Sequence, residues 1–177
     1  MKQVGIAVPS SRTVALTSMM TALVYIATSI SFPMPRPLGV WHIGDIASFI
    51  ASLLCGPLIG AFACGIGAMM FDVWNPLWGG AFVLWAPATI IIRGIMGFVL
   101  GKLRGVSPDN ARLSELVAMI LAAFGKNIGY FLYDYFLQGS IAILDLFTFF
   151  PLSALDIAIT IPLLMSLRKI LGEEYLN

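Results

Sequence analysis

The sequence predicts an all-α integral membrane protein, a six-transmembrane-helix bundle with both termini cytoplasmic. Composition is the first reason. Of the 177 residues 59% are hydrophobic and only 11% charged, with a mean hydropathy of +0.95, whereas a soluble domain carries roughly a quarter charged residues. The second is segmentation into six apolar stretches, at about 13–32, 45–56, 57–74, 81–103, 114–138 and 148–169. The third is the distribution of basic residues. Lys2, Arg12, Lys102, Arg104, Arg112, Arg168 and Lys169 fall on the N-terminal side of the segments, and only Arg36 falls opposite. Cytoplasmic loops collect Lys and Arg, so this asymmetry sets the orientation and requires an even number of spans. Residues 1–177 read as a single transmembrane domain, with the lipid bilayer as solvent and no nucleic-acid partner.

The first segment, from Val14 to Phe32, has about the ~20 residues needed to span. No small-x-small cleavage site follows it, so it reads as an anchor and not a removable leader. The loop after it, PMPRPLGVWHIGD, holds Pro33, Pro35 and Pro37 beside Arg36, Trp41, His42 and Asp45. Its prolines restrict the backbone and lower the cost of ordering it, which suits a stiff loop folded over something. Segments two and three form a hairpin hinged at Gly56-Pro57, with Asp45 at one end and Asp72 at the other. A carboxylate in hydrocarbon is costly, so both acids are expected on one side of the membrane, at an interface or in a polar cavity. Gly60, Ala61, Cys64, Gly65, Gly67 and Ala68 let the second arm approach its neighbours closely and bury itself in the bundle. Cys55 and Cys64 read as small core hydrophobes. The connection from Lys102 to Arg112 carries a Ser-Pro-Asp-Asn turn.

The fifth segment concentrates the polar chemistry. Lys126, Tyr130, Tyr133 and Asp134 are spaced i, i+4, i+7, i+8, with Asn127 adjoining, so they form a stripe on a helix. An isolated Lys at mid-membrane costs roughly 2.5–3.5 kcal/mol, so a partner or a polar cavity is required. Arg93 and Asp156 fall at a similar depth by the ~1.5 Å rise per residue. Two readings stand: a cavity open to the outer face, or packing salt bridges from Asp156 to Lys126 or Arg93. Aromatic residues Trp74, Trp78 and Tyr135 suit an interfacial belt as well as a site. The only histidine, His42, cannot build a metal site with acids so dispersed. No HExxH, CxxC, GxSxG, phosphate-cradling glycine loop or Ser/His/Asp arrangement is present, so neither an enzyme nor a metal or other cofactor is expected.

The Gly-Asp after the first helix, the Gly-Pro hinge, the glycine-studded third helix closing on Asp72 and the Lys126-bearing fifth helix together resemble the substrate-binding S components of energy-coupling factor (ECF) vitamin transporters. The resemblance implies a six-helix subunit in a prokaryotic cell membrane that captures a vitamin or vitamin precursor from outside. It also implies docking through a small-residue face of the first helix, here Ala15, Ser18 and Ala22, onto a transmembrane scaffold subunit carrying two ATPases. Ser18 stands where the family usually has Ala. The ligand would sit in the outer half, under the first loop and among the last three helices, contacting Trp41, His42, Asp45, Asp72, Lys126, Asn127, Tyr130, Tyr133, Asp134 and Asp156. The Lys-Asn and Tyr-rich fifth helix looks most like the branch handling riboflavin, hydroxymethylpyrimidine and related flat heterocycles. A different class, a self-sufficient carrier or channel with an ion or proton relay through Asp156, Arg93 and Lys126, fits the same charges.

Overall fold

The structure, a computed structural model, describes residues 10–35, 39–104 and 111–171. Lys2, Arg36, Pro37 and the Ser107–Asn110 turn lie outside them. Six α-helices account for most of the described chain: α1 (Ser11–Ser29), α2 (Gly44–Cys55), α3 (Pro57–Val73), α4 (Ala86–Leu103), α5 (Ala111–Gln138) and α6 (Ile143–Leu171). Two helical stretches, Ala86–Leu103 and Arg112–Ile170, are long and apolar enough to cross a membrane, while α2 and α3 are shorter apolar helices.

Local chemistry sets the boundaries. Ser10 caps α1 by accepting from the Thr13 amide at 3.2 Å, satisfying one of its free N–H groups. Gly56, at φ 90°, ends α2 in a conformation that L side chains rarely adopt, and Pro57 opens α3 with its φ already helical. The fourth helix begins at Ala86 and not at 81. Residues 80–85 form turns, because Gly79 takes φ 59° and Pro87 sits where only a helix start tolerates it. The sixth helix begins at Ile143, earlier than expected, after a 3-10 turn over Gly139–Ala142.

The first loop departs from a plain loop. Ser31–Pro33 (β1) and Val40–His42 (β2) pair antiparallel, with Phe32 opposite Trp41. Their rings stack at 5.5 Å, the kind of cross-strand aromatic pair that holds a short hairpin together. The Trp78 indole donates to Ser31 Oγ at 2.8 Å, which fastens the hairpin to the α3–α4 connection.

Burial is inverted relative to a soluble bundle. Large apolar side chains such as Met19, Leu58, Ile91, Leu121 and Phe147 face outward on α1, α3, α4, α5 and α6, as expected where the surroundings are lipid. Helix α2 presents none and is sheathed by the others. Apolar packing occupies the half nearer the Gly56 hinge, where Phe49, Leu53, Met96, Leu100, Met119 and Leu164 meet. Polar side chains collect in the opposite half.

Helix α3 lies close enough to its neighbours that its glycines are required. A Cβ on Gly60 would sit 2.7 Å from Ser52 Oγ and 2.9 Å from the Gly97 carbonyl; one on Gly67 would sit 2.7 Å from the Thr21 carbonyl. Backbone contact of this kind is how membrane helices gain packing energy without a hydrophobic drive between them.

Candidate functional site

A cavity of about 590 Å³ opens in the polar half, within the ~300–1,000 Å³ range of small-molecule sites. Its lining comes from the β-hairpin, the start of α2, the end of α3, the turns before α4, and facing stretches of α4, α5 and α6.

Asp45 organises the cavity floor. It lies in the first turn of α2, where the partial positive charge of a helix N-terminus favours an anion. Arg93 Nη1 of α4 approaches Asp45 Oδ1 at 2.7 Å, and Lys126 Nζ of α5 bonds Asp45 Oδ2. One carboxylate therefore joins three helices. Two further donations are made: Arg93 Nη2 donates to Ser48 Oγ at 3.0 Å and Lys126 Nζ to Ser153 Oγ at 3.3 Å, while Arg93 Nε is left without a partner. Asn127 Nδ2 donates to the same Ser153 Oγ at 3.1 Å. Both cations are thus paired as buried charges must be.

Neither packing bridge anticipated for Asp156 forms. Its carboxyl lies within electrostatic reach of Lys126 and Arg93 but bonds neither, because Asp45 has claimed both. Asp156 Oδ1, Asp72 Oδ2, Asp145 Oδ2 and Trp41 Nε1 are buried polar atoms of the lining without a protein hydrogen-bond partner. Asp156 and Asp72 are 2% and 8% exposed. Buried polar groups are nearly always hydrogen-bonded, so unmet atoms around one cavity mark where a ligand's own donors and acceptors belong.

One wall is aromatic. His42 meets Phe71 edge-on at 5.9 Å, Phe71 stacks on Phe82 at 5.6 Å, and Phe82 packs edge-on against Trp85 at 6.3 Å and Trp78 at 6.5 Å. Such a wall presents flat apolar area with polar tips. Trp85 Nε1 donates to Asp134 Oδ1 at 2.5 Å, and Tyr130 OH to Thr89 Oγ1 at 3.0 Å, fixing the upper part of the α5 stripe against α4.

His42 Nδ1 accepts from the Gly44 amide at 3.2 Å, which requires that nitrogen to be unprotonated. Burial and then the positive charge of Arg93 and Lys126 hold the imidazole at about 4, below its ordinary 6.5, against a smaller opposing pull from Asp45. It is a neutral member of the site at physiological pH.

Of the expected contact residues, Trp41, His42, Asp45, Asp72, Lys126, Asn127, Tyr130, Asp134 and Asp156 all line this cavity. Tyr133 does not: its hydroxyl donates to the Leu84 carbonyl at 2.7 Å, away from the lining. At about 100° per residue it points well round from Asp134, so the inward stripe follows 126, 127, 130 and 134. Trp74 and Tyr135 face outward, and Asn75 is spent bonding the Leu77 and Trp78 amides. Sequence reasoning missed Phe71, Phe82, Trp85, Thr89 and Ser153 as lining residues. Gly79-Gly80 followed by Pro87 was the available signal that Phe82 and Trp85 sit on a turn and not inside a span.

An inside-out helical bundle with a mixed aromatic and polar chamber is the form of a membrane protein that captures a small molecule. The family model for the ECF-type riboflavin transporter, S component, matches residues 8–169, and the chain belongs to that family. It is also similar to a Pyrococcus woesei protein described as "Uncharacterized protein in gap 3'region", with 29% identity over 110 residues, covering 62% of this chain and 69% of that one. Membership makes this an ECF transporter S component, a vitamin-uptake protein.

Proposed function

We propose that the protein captures a flat, hydroxylated or N–H-bearing heterocycle of the riboflavin type at the outer membrane face and delivers it through an ECF importer. The single observation that carries this reading is the cavity itself, an aromatic wall from His42 to Trp85 facing the unmet polar atoms of Asp72, Asp156 and Trp41. A planar ring gains area against Phe71 and Phe82, while the unmet groups take its polar edge. The α2–α4–α5 junction at Asp45 holds the floor rigid, so Lys126 and Asn127 position the site more than they reach for ligand. The family description supplies riboflavin as the first compound to test.

Six spans with cytoplasmic termini are part of the proposal and rest on the basic-residue asymmetry. So is docking to a transmembrane scaffold with two ATPases through Ala15, Ser18 and Ala22, which are exposed on α1. The relay alternative has less support, since Arg93 and Lys126 both close on Asp45 and neither bonds Asp156. Mass spectrometry of compounds extracted from the purified protein, with riboflavin titration by quenching of flavin fluorescence, tests the reading. Co-purification of a flavin or tight quenching supports it. Absence of both, with a different compound retained, replaces it.

A further inference from the structure

The lining holds five carboxyl groups, those of Asp45, Asp72, Asp134, Asp145 and Asp156, and two basic side chains, Arg93 and Lys126. What matters for a ligand is which of these charges is still available. Both cations are drawn onto Asp45, each makes one further bond, to Ser48 and Ser153, and Arg93 Nε alone is without a partner. Among the described residues, no cation of the lining is left without a carboxylate partner. Asp72, Asp145 and Asp156 each keep one oxygen without a hydrogen-bond partner, and the three are distributed around the space the ligand would fill.

An anionic ligand would meet this site at a loss. Burying a charge is tolerated only when it is paired, and a phosphate needs several charge-assisted donors to replace its water. If the free acids are ionised they repel it. If they are protonated they supply neutral hydroxyls, and the one positive charge left over in the Asp45–Arg93–Lys126 cluster sits on groups already bonded to Asp45, Ser48 and Ser153. An uncharged ring bearing hydroxyls and N–H groups satisfies the same oxygens in either state.

We infer that Asp45 is the charge-selectivity residue of the site: by pairing with Arg93 and Lys126 at once, it offsets one of their two charges and occupies donors that a phosphate would need, so the cavity takes the unphosphorylated heterocycle in preference to its phosphate monoester. Asp45 acts through the two cations and is a positioning residue, not a ligand contact. The chain therefore requires a phosphatase-class reaction outside the cell wherever the available form of its substrate is phosphorylated.

The inference rests on the flavin reading, and riboflavin with riboflavin 5′-phosphate are the probes. Fluorescence quenching on the full chain in nanodiscs should show the phosphate binding at least about tenfold more weakly than riboflavin. Asp45→Asn frees two cations and should narrow that ratio about tenfold or more, whatever it does to absolute affinity. Asp45→Asn with Lys126→Met restores the balance and should restore the ratio. Should Asp45→Asn fail to fold, as judged by size-exclusion profile, Asp156→Asn supplies the second variant, since it removes a facing acid and shifts the ratio the same way. Equal affinity of the wild type for both flavins, or an unchanged ratio in the folded variants, overturns the inference while leaving the flavin reading intact. Binding of neither flavin overturns the reading and the inference with it.

Discussion

Lys126 shows how a single residue reads differently once its partner is known. In the sequence it is a costly cation on a polar stripe; in the fold it is bonded to Asp45, a residue 81 positions away. Removing Asp45 strands two buried cations, at roughly 3–5 kcal/mol, whereas Lys126→Met leaves Asp45 still paired with Arg93 and costs less. Lys126→Met and Asp45→Asn should therefore be non-additive in a double-mutant cycle of thermal denaturation in detergent, with a coupling of about 1–3 kcal/mol. Additive losses would place the two groups apart. His42 gives a second test at this scale. Its folded-state value of about 4 lies below the ordinary 6.5, so the unfolded chain binds the proton more readily between those values. The stability contributed by the neutral imidazole is complete above about pH 6.5 and is lost as pH falls toward 4. His42→Gln, which keeps an acceptor for the Gly44 amide, should flatten the slope of melting temperature against pH in that window. The stripe on α5 was legible because helical spacing alone puts 126, 130 and 134 together. Its partner was not, because nothing in one sequence pairs residue 45 with residues 93 and 126.

At the scale of elements, the helix hairpin hinged at Gly56-Pro57 and the burial of its glycine-rich arm could be read directly, since glycine, proline and small-residue patterns report local geometry. The β-hairpin could not, because three-residue strands carry too little periodicity and the Phe32–Trp41 stack is a contact across a turn. Glycines of α3 and α5 separate packing from propensity. Gly60→Ala should destabilise by about 1–3 kcal/mol through overpacking against Ser52 and Gly97. Gly125 has open space around its would-be Cβ, so Gly125→Ala should be neutral or stabilising by up to about 1 kcal/mol. Equal responses would mean that α3 and α4 are not in backbone contact. Helix α1 carries the docking prediction. Ser18→Trp or Ala22→Leu should abolish uptake in cells expressing the ATPase module while leaving ligand affinity of the isolated protein unchanged. Parallel loss of both would assign that face to folding.

For the whole molecule, composition and the basic-residue asymmetry were enough to foresee a helical membrane bundle, whereas the ligand chamber became visible only with the turns of residues 80–85 in place. Orientation is testable with cysteines at exposed positions. In a variant lacking Cys55 and Cys64, Pro76→Cys should react with an impermeant maleimide applied outside intact cells, and Lys102→Cys only after permeabilisation. The opposite pattern would invert the protein and move the cavity mouth to the cytoplasm. One consequence concerns energy supply. Because Arg93 and Lys126 stay bonded to Asp45, an uncharged ligand entering the cavity moves no net charge through the bilayer's field. The transmembrane potential, worth roughly 2.3 kcal/mol per elementary charge per 100 mV, then has nothing to act on during capture. Capture of this kind is electrically silent, and in the importer proposed above the work of accumulation against a gradient falls to the energising partner.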